Sequence, residues 1–149
     1  MHTENSIRIN APRQRIFEVA ANLELWPKIL PHYRWIKFLE RSGNRNVVQM
    51  AARRTWIPIR WTSIQEIDRE KMEIRFHHLK GFTKGMNVVW TFTPIEGCVE
   101  GRIRHDLRSR FPMLGNLITE RIIGDFFIGH VANRTLFHMK KYMEASDET

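Results

Sequence analysis

The sequence predicts an α+β domain in which a strongly curved antiparallel sheet folds around one long C-terminal helix. Three observations predict it. The middle of the chain is a series of closely spaced alternating stretches with no helical pattern between them. A proline-free apolar stripe at helical spacing runs from Leu117 to about Met143. One isolated strand and a pair of short helices come before both.

In order, Ile7 and Ile9 alternate with Ser6, Arg8 and Asn10, the pattern of a short strand. Ala11-Pro12 breaks it, and Pro12 suits the first turn of a helix carrying Ile16, Phe17, Val19, Ala20 and Leu23 at helical spacing. A second short helix is expected over Asn22 to Leu30, interrupted or started by Trp26-Pro27 and ended by Pro31. Strands are then expected over Tyr33–Arg41, Asn46–Arg54, Ile59–Ile67, Met72–Leu79, Met86–Thr93 and Cys98–Arg108. Ser42-Gly43-Asn44, a corner at Thr55–Pro58, Asp68-Arg69-Glu70, Lys80–Gly85 and Pro94–Gly97 separate them. Phe111–Gly115 reads as a loop, Asn116 as an N-cap, and Ile118, Ile122, Phe126, Gly129, Ala132, Leu136, Met139 and Met143 as the helix's apolar stripe. A seven-stranded twisted sheet must cover its apolar face, and only this helix is long enough to do so. The short helix pair plugs one end. The result is a helix-grip arrangement spanning residues 1–149 as a single domain, with a cavity of ~300–1,000 Å³ expected between sheet and helix.

Composition narrows the function. The chain has 149 residues, 42% hydrophobic and 27% charged, within the range of an ordinary globular domain. No apolar run reaches the roughly 18–20 residues that cross a bilayer, and the N-terminus lacks a signal-peptide pattern. Cys98 is the single cysteine, compatible with a reducing compartment, so a cytoplasmic protein is expected. The net charge of +8 favours anionic partners, but the basic residues are spread singly or in pairs along the chain, the pattern of a solvated surface. Trp35, Trp56 and Trp61 come without a stacking motif, so no specific nucleic acid is expected as a partner. There is no H-x-H, H-E-x-x-H, C-x-x-C, G-x-S-x-G or Gly-rich phosphate loop, hence no expected metal or cofactor.

Several separate pieces carry a family resemblance. They are Ile9-Asn10-Ala11-Pro12 with Ile16-Phe17, Leu25-Trp26-Pro27, Leu30-Pro31 and Gly81-Phe82. Trp90-Thr91-Phe92-Thr93-Pro94 with Gly97, and Thr135-Leu136 before Lys140-Lys141, complete the set. In this order the chain resembles the START-like, or SRPBCC, superfamily in its polyketide cyclase/dehydrase and lipid-transport branch. The resemblance implies the helix-grip fold. It leaves function open among cyclases, aromatases, lipid carriers, quinone-binding proteins and ribosome-associating toxins.

Strand parity picks the inward residues. Charged neighbours at Glu73, Arg75, Glu100, Arg102, Arg104 and Asp106 mark wet faces, leaving Ile74, Phe76, His78, Val88, Trp90, Phe92, Ile103 and His105 inward. The same logic points Trp61, Ser63 and Gln65 inward, and Val48, Met50, Ala52 and Arg54 from the preceding strand. Of Phe126, Phe127 and Ile128, at least one meets a ligand, solvent or a second chain, and Phe127 joins the candidate wall. Gly124 and Gly129 are expected where a side chain would collide with a strand or ligand. His130 and Arg134, one turn apart, face either the cavity mouth or the solvent flank, and Phe82 between two loop glycines forms an apolar lip.

An apolar wall with sparse polar groups (Arg54, Ser63, Gln65, His78, His105) is the make-up of a small-molecule site; the alternative is a filled core in which those groups satisfy one another. The expected function is binding or carriage of a hydrophobic small molecule such as a lipid, isoprenoid quinone or polyketide-like compound. The second reading is a polyketide cyclase or aromatase using His78 or His105 for acid/base catalysis. The third is an interaction protein touching ribosomes or an anionic membrane. Oligomeric state has no signature here.

Overall fold

The computed structural model describes residues 2–54, 56–81, 83–107, 121 and 124–146. The elements run β1 (His2–Ile9), α1 (Arg13–Ala21), α2 (Trp26–Ile29), β2 (Tyr33–Ser42), β3 (Arg45–Arg54), β4 (Ile57–Asp68), β5 (Glu73–Gly81), β6 (Asn87–Ile95) and β7 (Cys98–Asp106). A π-helical stretch, Gly124–Ala132, then continues into α3 (Asn133–Ser146). The seven strands form one antiparallel sheet in the order β1-β7-β6-β5-β4-β3-β2. Strands β2 to β7 are a continuous meander. The chain reaches its far edge by crossing from β1 through α1 and α2, and returns to place β7 beside β1. The helix-grip fold expected from the sequence is therefore the observed one.

Local chemistry accounts for the boundaries. The Pro12 carbonyl accepts from Ile16 N at 3.1 Å, so proline stands at the N-cap of α1, where its missing N–H costs nothing. The second helix is shorter than expected because Pro27 is confined to a first turn, and residues 22–25 form turns instead. Strand β4 begins at Ile57, inside the expected corner, because Arg54 pairs with Ile57 and Arg53 with Pro58. Gly81 closes β5 with φ +107° and lies so near β4 that a Cβ would come within 2.9 Å of the Arg60 carbonyl oxygen. Only glycine fits there without displacement.

The core lies between the concave sheet face and the helices. Ile74, Phe76, Val88, Trp90, Phe92, Val99 and Ile103 on the strands meet Ile16, Phe17 and Ala20 of α1 and Leu136, Met139 and Met143 of α3, all buried. Asn10 N donates to Glu144 Oε1 (3.0 Å) and Arg15 Nη1 to the Met143 carbonyl (3.0 Å), tying the end of α3 to the start of the chain.

The C-terminal helix departs from the sequence expectation in two ways. Gly129 is exposed, and no described atom lies within 4 Å of a Cβ built at Gly124, so neither position collides with a described strand residue. The buried face keeps Ala132, Leu136, Met139 and Met143 of the expected stripe and adds Val131 and Thr135. Over Gly124–Ala132 the π winding turns the helix face away from the 3.6-residue spacing on which the stripe was drawn. The expected loop Phe111–Gly115, the Asn116 cap and the helix turns around Ile118 and Ile122 lie outside the described residues. No helix among the described residues is long and apolar enough to cross a membrane.

Candidate functional site

Alternation in three adjacent strands brings His78, Val88, Trp90, Ile103 and His105 to one inner surface. Phe76 pairs with Val88, and Val88 with His105, so β6 stands between the two histidine-bearing strands. These residues, with Phe76 and Trp61, line a central cavity closed by Trp26, Tyr33, Met50, Val131, Ala132 and Thr135. Its volume is about 40 Å³, far below the expected range and enough for one or two waters. The shortfall has a plain cause. Trp26 enters from α2 and sits within 5.2–5.9 Å, ring centre to ring centre, of Tyr33, Trp90 and Phe76. A tryptophan reaching in from outside the sheet takes up space that strand parity alone leaves open. Its Nε1 donates to the Ala20 carbonyl (3.1 Å), fixing the ring.

Two polar groups interrupt the aromatic wall. His78 stacks on Trp61, with centroids 5.8 Å apart and planes 8° from parallel, and its Nδ1 hydrogen-bonds Thr83 Oγ1 at 2.6 Å. Burial lowers its pKa to about 3, and His105 and His77 push the same way. His105 is lowered to about 4 by burial, opposed by Asp106. Both are neutral at pH 7. The two differ in one respect: the buried Nδ1 of His105 has no hydrogen-bond partner among the described residues. Such an orphan atom costs free energy unless something brought into the site satisfies it.

At the opening of β2 a third neutral histidine adjoins the cavity. Thr135 donates its hydroxyl to the Val131 carbonyl (2.6 Å), so His32 Nε2 is the donor in its 2.8 Å bond to Thr135 Oγ1. Burial lowers the His32 pKa to about 4, with His130, Arg134 and His138 adding to the effect. Burial raises the Tyr33 phenol. His32 thus stands between the central cavity and an outer pocket of about 230 Å³ lined by Pro31, Arg53, His130 and Arg134.

The remaining residues singled out from the sequence fall elsewhere. Gln65 is buried but structural: Nε2 donates to the Ala21 carbonyl (3.0 Å) and Oε1 accepts from Asn46 (3.1 Å), locking α1 to the sheet. Ser63 is spent on the His77 carbonyl (3.1 Å) beside a register shift in β4. Ile74 and Phe92 belong to the core without lining the cavity, Phe92 packing edge-on against Phe17. The side chains of Arg54 and Phe127, and Phe82 altogether, lie outside the described residues. His130 donates from Nε2 to the Arg53 carbonyl (3.1 Å), so His130 and Arg134 bound the outer pocket rather than the central one.

A seven-stranded curved antiparallel sheet gripping a C-terminal helix is the START-like architecture. Residues 9–126 match the polyketide cyclase / dehydrase and lipid transport family, and the chain belongs to that family. A Streptomyces cyaneus protein named "Putative polyketide cyclase" is 30% identical over 97 residues, which span 61% of this chain and 62% of that protein. Among solved structures, an aromatase/cyclase from Streptomyces sp. R1128 superposes with a TM-score of 0.84 at 17% identity, covering 97% of this chain and 93% of that one. A START superfamily protein from Mycobacterium smegmatis superposes with a TM-score of 0.74 at 10% identity over 97% of both chains.

Proposed function

We propose that the protein binds a hydrophobic small molecule, polyketide-like or lipid-like, whose polar end hydrogen-bonds His105 in the central cavity. The observation that carries this reading is the Nδ1 of His105, without a partner among the described residues, in a mainly apolar enclosure. A polar atom left open to the cavity is available to whatever enters it, a water or the polar end of a ligand. The mechanism is desolvation: apolar ligand surface leaves water for the Trp61, Phe76, Val88, Trp90 and Ile103 wall, at roughly 25 cal/mol per Å². Neutral His105 and His78 then orient its polar end. Since about 40 Å³ holds no such ligand, binding requires the aromatic wall to move outward.

Carriage is favoured over proton transfer by the histidines themselves. A general base works best with a pKa near the working pH, and groups lowered to about 3 and 4 accept hydrogen bonds better than they take protons. The cyclase reading is supported by the description of the family and by the name carried by the Streptomyces cyaneus relative. Native mass spectrometry of the freshly purified protein tests the proposal. A co-purified apolar molecule, lost in Trp90→Ala and weakened about 2- to 12-fold in His105→Gln, is expected. A ligand-free spectrum, together with no saturable change in tryptophan fluorescence on adding fatty acids, quinones or aromatic polyketides, overturns it. Turnover of a poly-β-ketone thioester that vanishes in His78→Gln or His105→Gln favours the cyclase.

A further inference from the structure

The basic residues, spread evenly along the chain, are segregated in space. No Asp or Glu occurs between Glu40 and Glu66, or between Glu73 and Glu96. The sheet register gathers the middles of both segments at one end of the molecule, where Tyr33 lies opposite Ala52, Trp61 opposite Gly81 and Asn87 opposite Asp106. Of the acids described there, Asp106 contacts His2 and Glu4 pairs with Arg102 (3.3 Å). The outer pocket of about 230 Å³ opens at this end, bounded by His32, Arg53, His130 and Arg134. His138 lies one turn beyond Arg134, its ring 6.3 Å from His32.

Four features make this pocket a site rather than a charged surface. Arg53 and Arg134 are exposed and have no acidic partner among the described residues, whereas Arg41, Arg69, Arg75, Arg102 and Lys140 are all ion-paired. The His130 bond to the Arg53 carbonyl joins the helix side of the pocket to its strand side. His32, 3% exposed, has its Nε2–H committed to Thr135, and its Nδ1 lone pair is buried without a partner among the described residues. Among the described residues, no three His, Cys, Asp or Glu side chains converge as metal ligands would.

We propose that this pocket binds a phosphate monoester or inorganic phosphate. Two guanidinium groups supply forked donors to the charged oxygens. The His32 lone pair calls for a donor from the ligand, which inorganic phosphate provides in both of its forms near pH 7 and a phosphate monoester provides as its monoanion. A carboxylate or sulfate offers no such proton at neutral pH. Soluble monoesters and lipid head groups share this chemistry. Trp56 (84% exposed) and Ile57 stand on the neighbouring β3–β4 turn, so both sources need an arm in the test.

Histidine side-chain NMR at constant ionic strength and pH 7 reads the site directly. Inorganic phosphate should shift the His32 and His130 signals saturably, and sulfate should bind at least about tenfold more weakly for want of the proton. Arg53→Gln/Arg134→Gln, both at exposed positions, should weaken phosphate about tenfold or more, while Arg69→Gln at the other end changes nothing. Glycerol 1-phosphate and vesicles of phosphatidic acid in phosphatidylcholine distinguish a soluble ester from a lipid head group; competition of either with phosphate supports the site. Absence of saturable shifts with phosphate, sulfate binding as well as phosphate, or equal loss in Arg69→Gln would overturn the assignment.

Discussion

The two ends of the curved sheet are built for different tasks. At the end holding α1, every polar group near the core is spent on structure. Gln65 bonds Ala21 and Asn46, Arg69 reaches Glu18 at 3.0 Å, Arg41 pairs with Glu24, and Trp26 fixes itself to Ala20. At the end where β2 begins, the buried Nδ1 atoms of His32 and His105 and the guanidinium groups of Arg53 and Arg134 have no hydrogen-bonding or acidic partner, respectively, among the described residues. The difference separates scaffold from site. Satisfied polar groups contribute stability, whereas unsatisfied ones cost it and persist where a ligand completes them.

The largest effect should come from the aromatic plug that joins the two regions. Trp26→Ala removes a ring touching Tyr33, Phe76 and Trp90, and should destabilise by about 3–5 kcal/mol in denaturant titration. A loss below ~1 kcal/mol would mean the cavity already tolerates a missing wall.

Gly81→Ala comes next. With φ +107° and the Arg60 oxygen 2.9 Å from the new Cβ, a cost of ~1–3 kcal/mol is expected in the same titration. Gln65→Leu should cost a similar ~1–3 kcal/mol by stranding the Ala21 carbonyl and the Asn46 amide, with no effect on ligand retention. Loss of ligand without loss of stability would transfer Gln65 from scaffold to site.

Acid should attack the site end first. The folded-state pKa values of His32, His78 and His105, about 4, 3 and 4, lie below the ordinary 6.5, so between these values the unfolded chain binds more protons. Stability is therefore full above about pH 6.5 and falls as the pH drops toward 4, with a slope of up to ~1.4 kcal/mol per pH unit for each histidine. Denaturation midpoints from pH 8 to 4 check this; His78→Gln should flatten the slope, and a slope unchanged by the substitution would contradict it.

Parity made most of the strand side of this contrast legible in the sequence. Ile74, Phe76, His78, Val88, Trp90, Phe92, Ile103 and His105 are all buried, because charged neighbours on β5 and β7 fix which face is wet and the alternation of β6 follows the same pleat. The rest of the cavity wall escaped for identifiable reasons. Trp26 comes from a four-residue helix whose direction no periodicity sets, Tyr33 opens a strand, Val131 and Ala132 end the π-wound stretch, and Thr135 is a polar residue beside the expected apolar stripe. Cavity size was illegible because it depends on how far one tryptophan reaches. The role of Gln65 depends on a backbone carbonyl 44 residues away. Charge segregation was hidden because strands that alternate in direction return distant residues to the same end.

The central claim is that His105 is kept polar for a ligand and against stability, and His105→Leu tests it most directly. Removing an unsatisfied buried nitrogen at nearly constant volume should raise the denaturation free energy of the ligand-free protein by ~1 kcal/mol. A destabilisation of ~1 kcal/mol or more would show that the fold itself depends on the His105 imidazole, and the account of the cavity as a ligand site would fail.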